Sequence, residues 1–520
     1  MMKSPYESGP YGEGPMEAQP PVRLREIDYA GKGELALFAI LTVCCLLTVN
    51  GFFYGGARLC FAVGMFGILA ASGLYILCRA RRTNWYPIVL WVSSLVLTAC
   101  IARTNDGFLH FLLFCGAMAT YLLALSQAAL PGRWHAGRID SVAGAFAALI
   151  PAAYGQIGAA IRGILYRNGE NGPQKRRFGA VTLGLLLAIP ALLVIVPLLV
   201  RSDEAFASLL QQTFGRSLME LVVTVLFGAA LLLPVYTRPV ALSREERERP
   251  ASERRYWFPA TSLNAFLLAI SFFYVMYLVS QLAYFFSAFS GILPPGYTAA
   301  QYARRGFTEM TLLCVINLAI VSLSLAKVRR QEKIPALTKA LSLFILVFSL
   351  VLVCSACSKM GLYIQFYGLT RLRVLTSLFM LCTAVALICT GIWAFAPKFG
   401  YMRVIVLACI LIFGTAGVLD VDTVVARYNV SAYLSGQLEE VDVSYLDTLS
   451  AGALPQMMRL MEAPDAPVRN EAMECLEAAA MMRFRVEDGK LVEEAPLTFR
   501  NWTYTEALAR KCLSDPERFQ

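Results

Sequence analysis

Long apolar stretches of about 20 residues alternate with short polar connections between Leu35 and Leu419. A helix of about 20 apolar residues crosses the hydrocarbon core of a bilayer, so each stretch predicts one transmembrane helix. The predicted spans are 35–54, 57–78, 86–102, 107–126, 178–200, 217–236, 258–286, 307–326, 336–357, 374–396 and 403–419. The predicted fold class is therefore an all-α polytopic membrane protein with about 11 transmembrane helices.

Polar segments flank and interrupt this apolar region. Residues 1–34 are rich in Pro, Gly and Glu, a composition that favours a disordered arm. The spans form a first group of about four (35–126) and a bundle of about seven (178–419), joined by a basic loop at 127–177. Within that loop, 139–166 is semi-apolar and predicts an amphipathic helix lying on the bilayer. A re-entrant or full span is the alternative, and a full span would change the parity of the count.

The last part of the chain, residues 420–520, is here called the tail. Its composition predicts a small, mainly helical, soluble domain. The run VVARYNVSAYL predicts a helix that continues outward from the last span, and three further helices are predicted at LPQMMRLMEA, Ala466–Arg483 and TYTEALARKCL. The dipeptide Asp488-Gly489 lies between alternating residues, which predicts a two-residue β-hairpin turn.

Charge placement predicts the orientation of the chain. Of its 520 residues, 57% are hydrophobic and only 16% are charged. With the N-terminus in the cytoplasm, the predicted cytoplasmic segments carry 27 Lys and Arg residues and the opposite loops carry nine. An odd number of spans then places the acidic tail, with 18 Asp and Glu against 10 Lys and Arg, outside. The basic surplus is explained by topology, and we predict no nucleic-acid partner.

The sequence offers little for catalysis or metal binding. It contains only two histidines, which excludes a zinc site built from several imidazoles. No nucleotide-binding loop, zinc-protease or serine-hydrolase motif occurs. Twelve of the 14 cysteines lie in or near the spans, and Cys475 and Cys512 form a disulfide only if the tail faces an oxidising compartment. We predict no enzymatic activity, no cofactor and no metal site.

One stretch on the predicted outer side carries a candidate binding site. The segment LYIQFYGLTRLRV, residues 362–374, holds Tyr363, Tyr367, Arg371 and Arg373. The simpler interpretation is an interfacial aromatic belt with anchoring arginines. The functional interpretation is an outward-facing pocket in which an arginine holds an anionic group bidentately. The loop before span 307–326 would add two neighbours, Arg304 and Arg305.

Two carboxylates near the starts of spans complete the candidate set. Glu220 lies about one turn into one span, and Glu309 lies at the beginning of another. Charged groups inside a membrane are costly, so they are functional candidates by default. One interpretation is that each glutamate side chain reaches the membrane–water interface. The other is that it lies inside the helix bundle and pairs with an arginine, because an unpaired buried charge is destabilising.

Several stretches together resemble a family of membrane proteins. GYTAAQYARRGFTEM, LYIQFYGLTRLRV and ARYNVSAYLSGQLEEVDVSYLDTLSAGALPQM are similar to the uncharacterised bacterial multi-pass family DUF4173, and the sister family DUF4153 is the alternative. RSDEAFASLL and FRNWTYTEALARKC fit as well, so the likeness runs from about residue 180 to the C-terminus. The resemblance implies a bacterial cytoplasmic-membrane protein and brings no catalytic residues with it.

These patterns leave three functional hypotheses. The first is a non-enzymatic envelope sensor or scaffold that acts through its tail and a protein partner. The second is a transporter or channel for a small anionic or lipid-like solute, with the arginines at its outer mouth and Glu220 or Glu309 in an ion path. The third is a membrane-embedded enzyme acting on lipid, for which Asp203 and Glu204 offer only an incomplete metal site.

Overall fold

A computed structural model describes residues 31–56, 58–79, 84–129, 204–244, 259–290, 307–327, 335–487, 490–494 and 496–514, together with residues 195 and 202. Several predictions lie outside these ranges. They are the character of residues 1–30, the amphipathic segment 139–166, the pair Arg304 and Arg305, and all but residue 195 of the span at 178–200.

Ten apolar helices make up the described membrane part. They are α1 (Lys32–Tyr54), α2 (Leu59–Arg79), α3 (Trp85–Ile101), α4 (Gly107–Ala129), α5 (Glu204–Arg244), α6 (Ala260–Ser290), α7 (Phe307–Lys327), α8 (Ala336–Tyr367), α9 (Arg371–Phe395) and α10 (Tyr401–Leu419). Nine are long and apolar enough to cross a membrane, and α3 is a shorter apolar helix. The all-α polytopic class is confirmed, while the count of 11 stays a prediction. The N-terminal arm ends earlier than predicted, because α1 already begins at Lys32.

Large apolar side chains are exposed along the outer faces of these helices. Phe272, Phe273 and Val279 on α6 and Leu411 on α10 each expose more than half of their surface. Soluble proteins rarely expose contiguous apolar surface on this scale. Lipid is the medium in which such surface is stable, and the protein is therefore an integral membrane protein.

Two buried cores divide the membrane helices into halves. The first half, α1–α5, packs around wholly buried side chains such as Leu41, Leu69 and Tyr236. The second half, α6–α9, packs around Leu267 and Ile345 among others. Helix α10 contacts α9 as well as α3 and α4, so it links the two halves.

The tail folds into short helices and one hairpin. Its elements are α11 (Val421–Leu434), α12 (Val443–Asp447), α13 (Leu454–Met457), α14 (Ala466–Met481), β1 (Phe484–Glu487), β2 (Lys490–Glu493) and α15 (Tyr504–Leu513), with 3₁₀ turns at Ala451–Ala453 and Met458–Glu462. Buried side chains from these elements, including Leu446, Met457 and Leu476, form one core. The strands pair antiparallel with Glu487 opposite Lys490, which confirms the two-residue hairpin connection. Cys475 and Cys512 are free thiols, so the conditional disulfide is not formed.

The tail does not continue the last membrane helix, and that prediction was wrong. Helix α10 ends at Leu419, and Asp420 follows with a φ of 59° before α11 begins at Val421. A non-glycine residue with positive φ interrupts a right-handed helix. The Asp420 side chain then caps α11, since its Oδ2 accepts a hydrogen bond from the backbone N of Thr423 at 3.3 Å.

Candidate functional site: the junction of the tail with the membrane helices

The tail lies against one end of the membrane helices. The backbone N of Leu59, after the α1–α2 turn, donates to the carbonyl O of Trp502 at 3.2 Å. In the α3–α4 turn, the carbonyl groups of Ala102 and Arg103 accept from the backbone N of Tyr504 and Thr505, each at 3.1 Å. These turns are among those that carry few Lys and Arg residues. The tail therefore lies at the end of the membrane helices whose connecting turns carry few Lys and Arg residues.

An ion pair between Arg371 and Asp422 lies at the centre of this junction. Arg371 donates from Nε to Asp422 Oδ1 at 2.8 Å and from Nη2 to Oδ2 at 2.7 Å. Asp422 is wholly buried, and its Oδ2 also accepts from the backbone N of Ser450 at 2.8 Å. A second carboxylate, Asp106, lies 3.4 Å from Arg371 Nε. This bidentate geometry is the strongest form of an arginine–carboxylate contact.

Helix ends position all three charged groups. Arg371 is the first residue of α9, Asp422 lies in the first turn of α11, and Asp106 precedes α4. Asp106 caps α4, because its carboxylate accepts from the backbone N of Phe108 at 3.2 Å and of Leu109 at 3.3 Å. Helix N-termini carry partial positive charge, which favours the two aspartates and disfavours Arg371. The carboxylates thus compensate an arginine that its own helix does not favour.

The tail also binds the backbone of the α8–α9 turn. Asn429 on α11 donates from Nδ2 to the carbonyl O of Leu369 at 2.8 Å, and its Oδ1 accepts from the backbone N of Leu369 at 2.7 Å. The Tyr445 hydroxyl accepts from the backbone N of Arg371 at 2.8 Å. Gly368 has a φ of 70°, and a Cβ there would lie 2.5 Å from Asn429 Oδ1. The turn therefore requires glycine for both its conformation and its close approach to the tail.

Three of the four predicted residues in the 362–374 segment, Tyr363, Tyr367 and Arg373, contact one another. Arg373 donates from Nη1 to the carbonyl O of Tyr367 at 2.9 Å and also contacts the carbonyl O of Gly368. Its guanidinium lies 3.9 Å from the centre of the Tyr363 ring, and the rings of Tyr363 and Tyr367 are 5.3 Å apart. Arg373 thus closes the C-terminus of α8, where a cation is favoured. The anionic group that Arg371 holds bidentately belongs to this chain.

The two predicted glutamates lie apart from that segment. Glu220 on α5 pairs with Arg500 of the tail, with Oε2 3.0 Å from Nη1. Glu309 is an exposed side chain on α7 and forms no ion pair with any described residue. Of the eight candidates, three therefore contact one another and Arg371 pairs with the tail. Glu220 lies at a second tail contact, Glu309 lies separately, and Arg304 and Arg305 are outside the described residues.

Residues 500–505 of the tail form that second contact region. Arg58, in the α1–α2 turn, donates from Nη1 to the carbonyl O of Asn501 at 3.0 Å. Gly55 approaches the carbonyl O of Arg500 so closely that a Cβ would overlap it. Arg103 lies over the ring of Tyr504, 5.0 Å from its centre. This second region attaches the tail to the first half, and the α8–α9 turn attaches it to the second.

Two buried carboxyl groups in the tail have opposite electrostatic environments. Burial raises the pKa of Asp420, although the Thr423 hydroxyl donates to it at 2.6 Å. Burial alone would also raise the pKa of Glu506, but Arg483 and Arg510 together hold it below its usual value. The environment therefore shifts the pKa of Asp420 upward and the pKa of Glu506 downward.

Sequence reasoning missed the tail residues that complete the junction. Asp422, Asn429 and Tyr445 lie far from Arg371 in sequence, and Asp106 reads as an ordinary helix cap. One signal was available: Asp420 and Asp422 follow a span that ends on the same side as the unexplained arginines. Across the ranges described above, no group of three or more His, Cys, Asp or Glu side chains is placed to hold a metal ion.

The architecture defines a polytopic helical membrane protein whose C-terminal tail is bound to one end of its helices. The chain belongs to the family described as Domain of unknown function (DUF4153), whose model matches residues 91–460. Of the two families that the sequence resembles, this is the one given as the alternative. The match begins before residue 180, where the resemblance began, and ends before the C-terminus. It includes the Arg371 contacts and excludes residues 500–505. The chain has no significant match among curated proteins or solved structures.

Proposed function

We propose that this membrane protein is a non-enzymatic sensor or scaffold of the bacterial cell envelope, and that its tail is the part that binds a partner. The tail would lie outside the cytoplasmic membrane and the N-terminus inside. The observation that carries the proposal is the bidentate Arg371–Asp422 pair, in which the aspartate is buried and which joins the tail to the first residue of a membrane helix.

The placement of the contacts supports a coupling role. The tail contacts the first half of the helices at the α1–α2 and α3–α4 turns and the second half at the α8–α9 turn. A rigid body bound to both halves transmits a change in its own position to their relative arrangement. A ligand that prefers one arrangement would shift the population of both tail and helices.

Complementation of a deletion strain tests this role. The strain would carry the wild-type protein, a protein lacking residues 430–520, Asp422→Asn, or the control Asp447→Asn, each at matched membrane abundance. Asp447 is an exposed tail aspartate outside the junction. We expect the truncated protein and Asp422→Asn to fail under envelope stress while Asp447→Asn restores the wild-type phenotype. Full complementation of every phenotype by the truncated protein would contradict the proposal.

A second candidate, a transporter or channel for a small anionic or lipid-like solute, is favoured by polar groups inside the second half. The Tyr274 hydroxyl donates to Asn317 Oδ1 at 2.5 Å, and Asn317 Nδ2 donates to Ser349 Oγ at 2.9 Å. Lys359 on α8 is also buried. Polar and charged groups at such depth mark solute pathways in many membrane proteins.

The truncated protein and three further variants, tested in the same deletion strain, separate the two candidates. A transporter would retain activity without the tail and lose it in Asn317→Leu, Arg371→Ala or Glu309→Gln. If Arg371→Ala and Glu309→Gln both complement fully at normal abundance, the transport hypothesis fails. If the truncated protein complements and Asn317→Leu does not, transport replaces sensing as the better explanation.

A further inference from the structure

Three arginines converge where the tail meets the α1–α2 turn; we call Arg58, Arg483 and Arg510 the arginine seam. Arg483 binds Glu506 bidentately, with Nε to Oε1 at 2.9 Å and Nη2 to Oε2 at 3.1 Å. Arg510 donates from Nε to the same Glu506 Oε1 at 3.2 Å. Arg58 donates from Nη1 to the carbonyl O of Asn501 at 3.0 Å, in the segment that leads directly to Glu506, and burial lowers its pKa.

The positive charge of the seam exceeds the negative charge beside it. Arg483 and Arg510 both pair with one buried carboxylate, that of Glu506, and the only other carboxylate within 4 Å of the seam among the described residues is Glu493, 3.5 Å from Arg510 Nη1 and 42% exposed. Arg510 is itself about nine-tenths buried, yet its Nη1 donates no hydrogen bond to any described residue. Arg58 forms no ion pair with the described part of the chain and donates only to the carbonyl O of Asn501.

Two carboxylates lie beside three guanidinium groups, and a partly buried positive charge without its own counter-charge is unfavourable, so this arrangement favours an added anion. Arginine donors match the geometry of phosphate oxygens and bind them through two parallel hydrogen bonds. The seam lies at the level where membrane helices end, because Arg58 immediately precedes the span beginning at Leu59. The exposed side chains of Phe52 and Phe53 lie on the last turn of α1 beside it. Lipid phosphate groups occupy this level of a bilayer.

We propose that the arginine seam is a phosphate-binding site that joins the tail to the first half of the membrane helices through Arg58 and Arg510. The phosphate comes either from an anionic phospholipid of the adjacent leaflet or from a free phosphate ion. This inference does not depend on the proposed sensing function.

Thermal unfolding of the purified full-length protein in detergent tests the site. One arm adds phosphatidylglycerol, with phosphatidylcholine as the zwitterionic comparison, and a second adds inorganic phosphate at constant ionic strength. We expect a saturable rise in the unfolding temperature with phosphatidylglycerol, with inorganic phosphate, or with both. Arg58→Gln should weaken the apparent affinity about tenfold, as expected for loss of a hydrogen bond to a charged group.

Arg459→Gln is the matched control, since it removes one tail arginine that contacts only Ser431 and Gln456, away from the seam. Saturation by phosphatidylglycerol alone identifies a lipid site, and saturation by inorganic phosphate identifies a free-ion site. Absence of any saturable rise in the wild-type protein overturns the proposal, even if Arg58→Gln does not fold. Equal losses of affinity in Arg58→Gln and Arg459→Gln also overturn it, because non-specific attraction would then explain the binding.

Discussion

The charge of Arg371 is unfavourable for its own helix but stabilises the contact between that helix and the tail. Its positive charge lies at the N-terminus of α9, where the helix dipole is unfavourable. Its bidentate partner Asp422 would be equally costly if it were buried without a cation. Because each charge requires the other, loss of either destabilises the position of the tail on the helices.

Gly368 gives a test of how closely the tail fits the α8–α9 turn. Gly368→Ala should lower the free energy of unfolding by about 1–3 kcal/mol for its backbone conformation, φ 70° and ψ −172°, plus a further loss from the clash with Asn429. Gly436→Ala is the control, because Gly436 has a similar φ of 73° and nothing within 4 Å of its Cβ position. Chemical denaturation of both variants measures the difference. Equal losses of unfolding free energy in the two variants would show that an added Cβ at residue 368 does not clash with Asn429.

Glu506 gives a pH prediction with a definite sign. Its pKa in the folded protein is lowered by Arg483 and Arg510 despite burial, so its stabilisation is present above the ordinary value of 4.5. It is lost as the pH falls through the lower folded-state pKa. Glu506→Gln should therefore lower the free energy of unfolding by about 2 kcal/mol at pH 7. On acidification below pH 4.5, the free energy of unfolding should fall less in this variant than in the wild type.

Unfolding measured as a function of pH checks this prediction. Glu477→Gln is the matched control, since Glu477 is an exposed glutamate on α14 of the same tail. The control should keep the wild-type dependence on pH. An unchanged acid response in Glu506→Gln would mean that another carboxylate dominates the loss of stability.

Among the elements, the break between α10 and α11 decides where the tail lies. A continuous helix would carry the tail straight away from the membrane, whereas Asp420 redirects it across the helix ends. Asp420→Ala should be destabilised by about 2 kcal/mol, because alanine disfavours positive φ and cannot cap α11.

Asp420→Asn is the informative comparison for that variant. Asparagine tolerates positive φ and retains a capping oxygen. Burial raises the pKa of Asp420, so its stabilisation is lost as the pH rises through that value. Asparagine avoids this loss, and the variant should equal or exceed wild-type stability at pH 7. If alanine and asparagine give the same unfolding midpoint, neither the cap nor the backbone conformation is important.

Elements with strong local signals were predictable, and contacts between distant elements were not. Apolar length identified each described membrane helix, and Asp488-Gly489 identified the hairpin. The break at Asp420 has no local signal, because aspartate is common both in helices and at their caps. The segment around Arg371 was singled out from the sequence as polar and unusual, with a belt and a pocket as its two interpretations. Its partners Asp422 and Asn429 became visible only when α11 folded back onto the α8–α9 turn.

For the whole molecule, the ends of the helices carry different chemistry. The tail covers the end that holds the α1–α2, α3–α4 and α8–α9 turns. At the opposite end, Glu34 pairs with Arg79 at 2.9 Å and accepts from the Tyr75 hydroxyl at 2.8 Å. This opposite end includes the first turn of α1. Helix α1 therefore begins at one end of the helices, and the tail lies at the other. That arrangement agrees with an odd number of spans.

The side on which each end lies gives the last prediction. Helix α4 leaves the tail's end at Gly107, and Glu220 of α5 pairs with Arg500 at that same end, so the chain between α4 and α5 has to return there. The predicted span at 178–200 is long and apolar enough for that return. Reporters active on only one side of the membrane, fused after Gly172 and after Gln520, should signal inside and outside respectively. Signals on one side at both positions would show that 178–200 does not cross. Reversed signals would show that the asymmetry of Lys and Arg residues does not set the orientation of this protein.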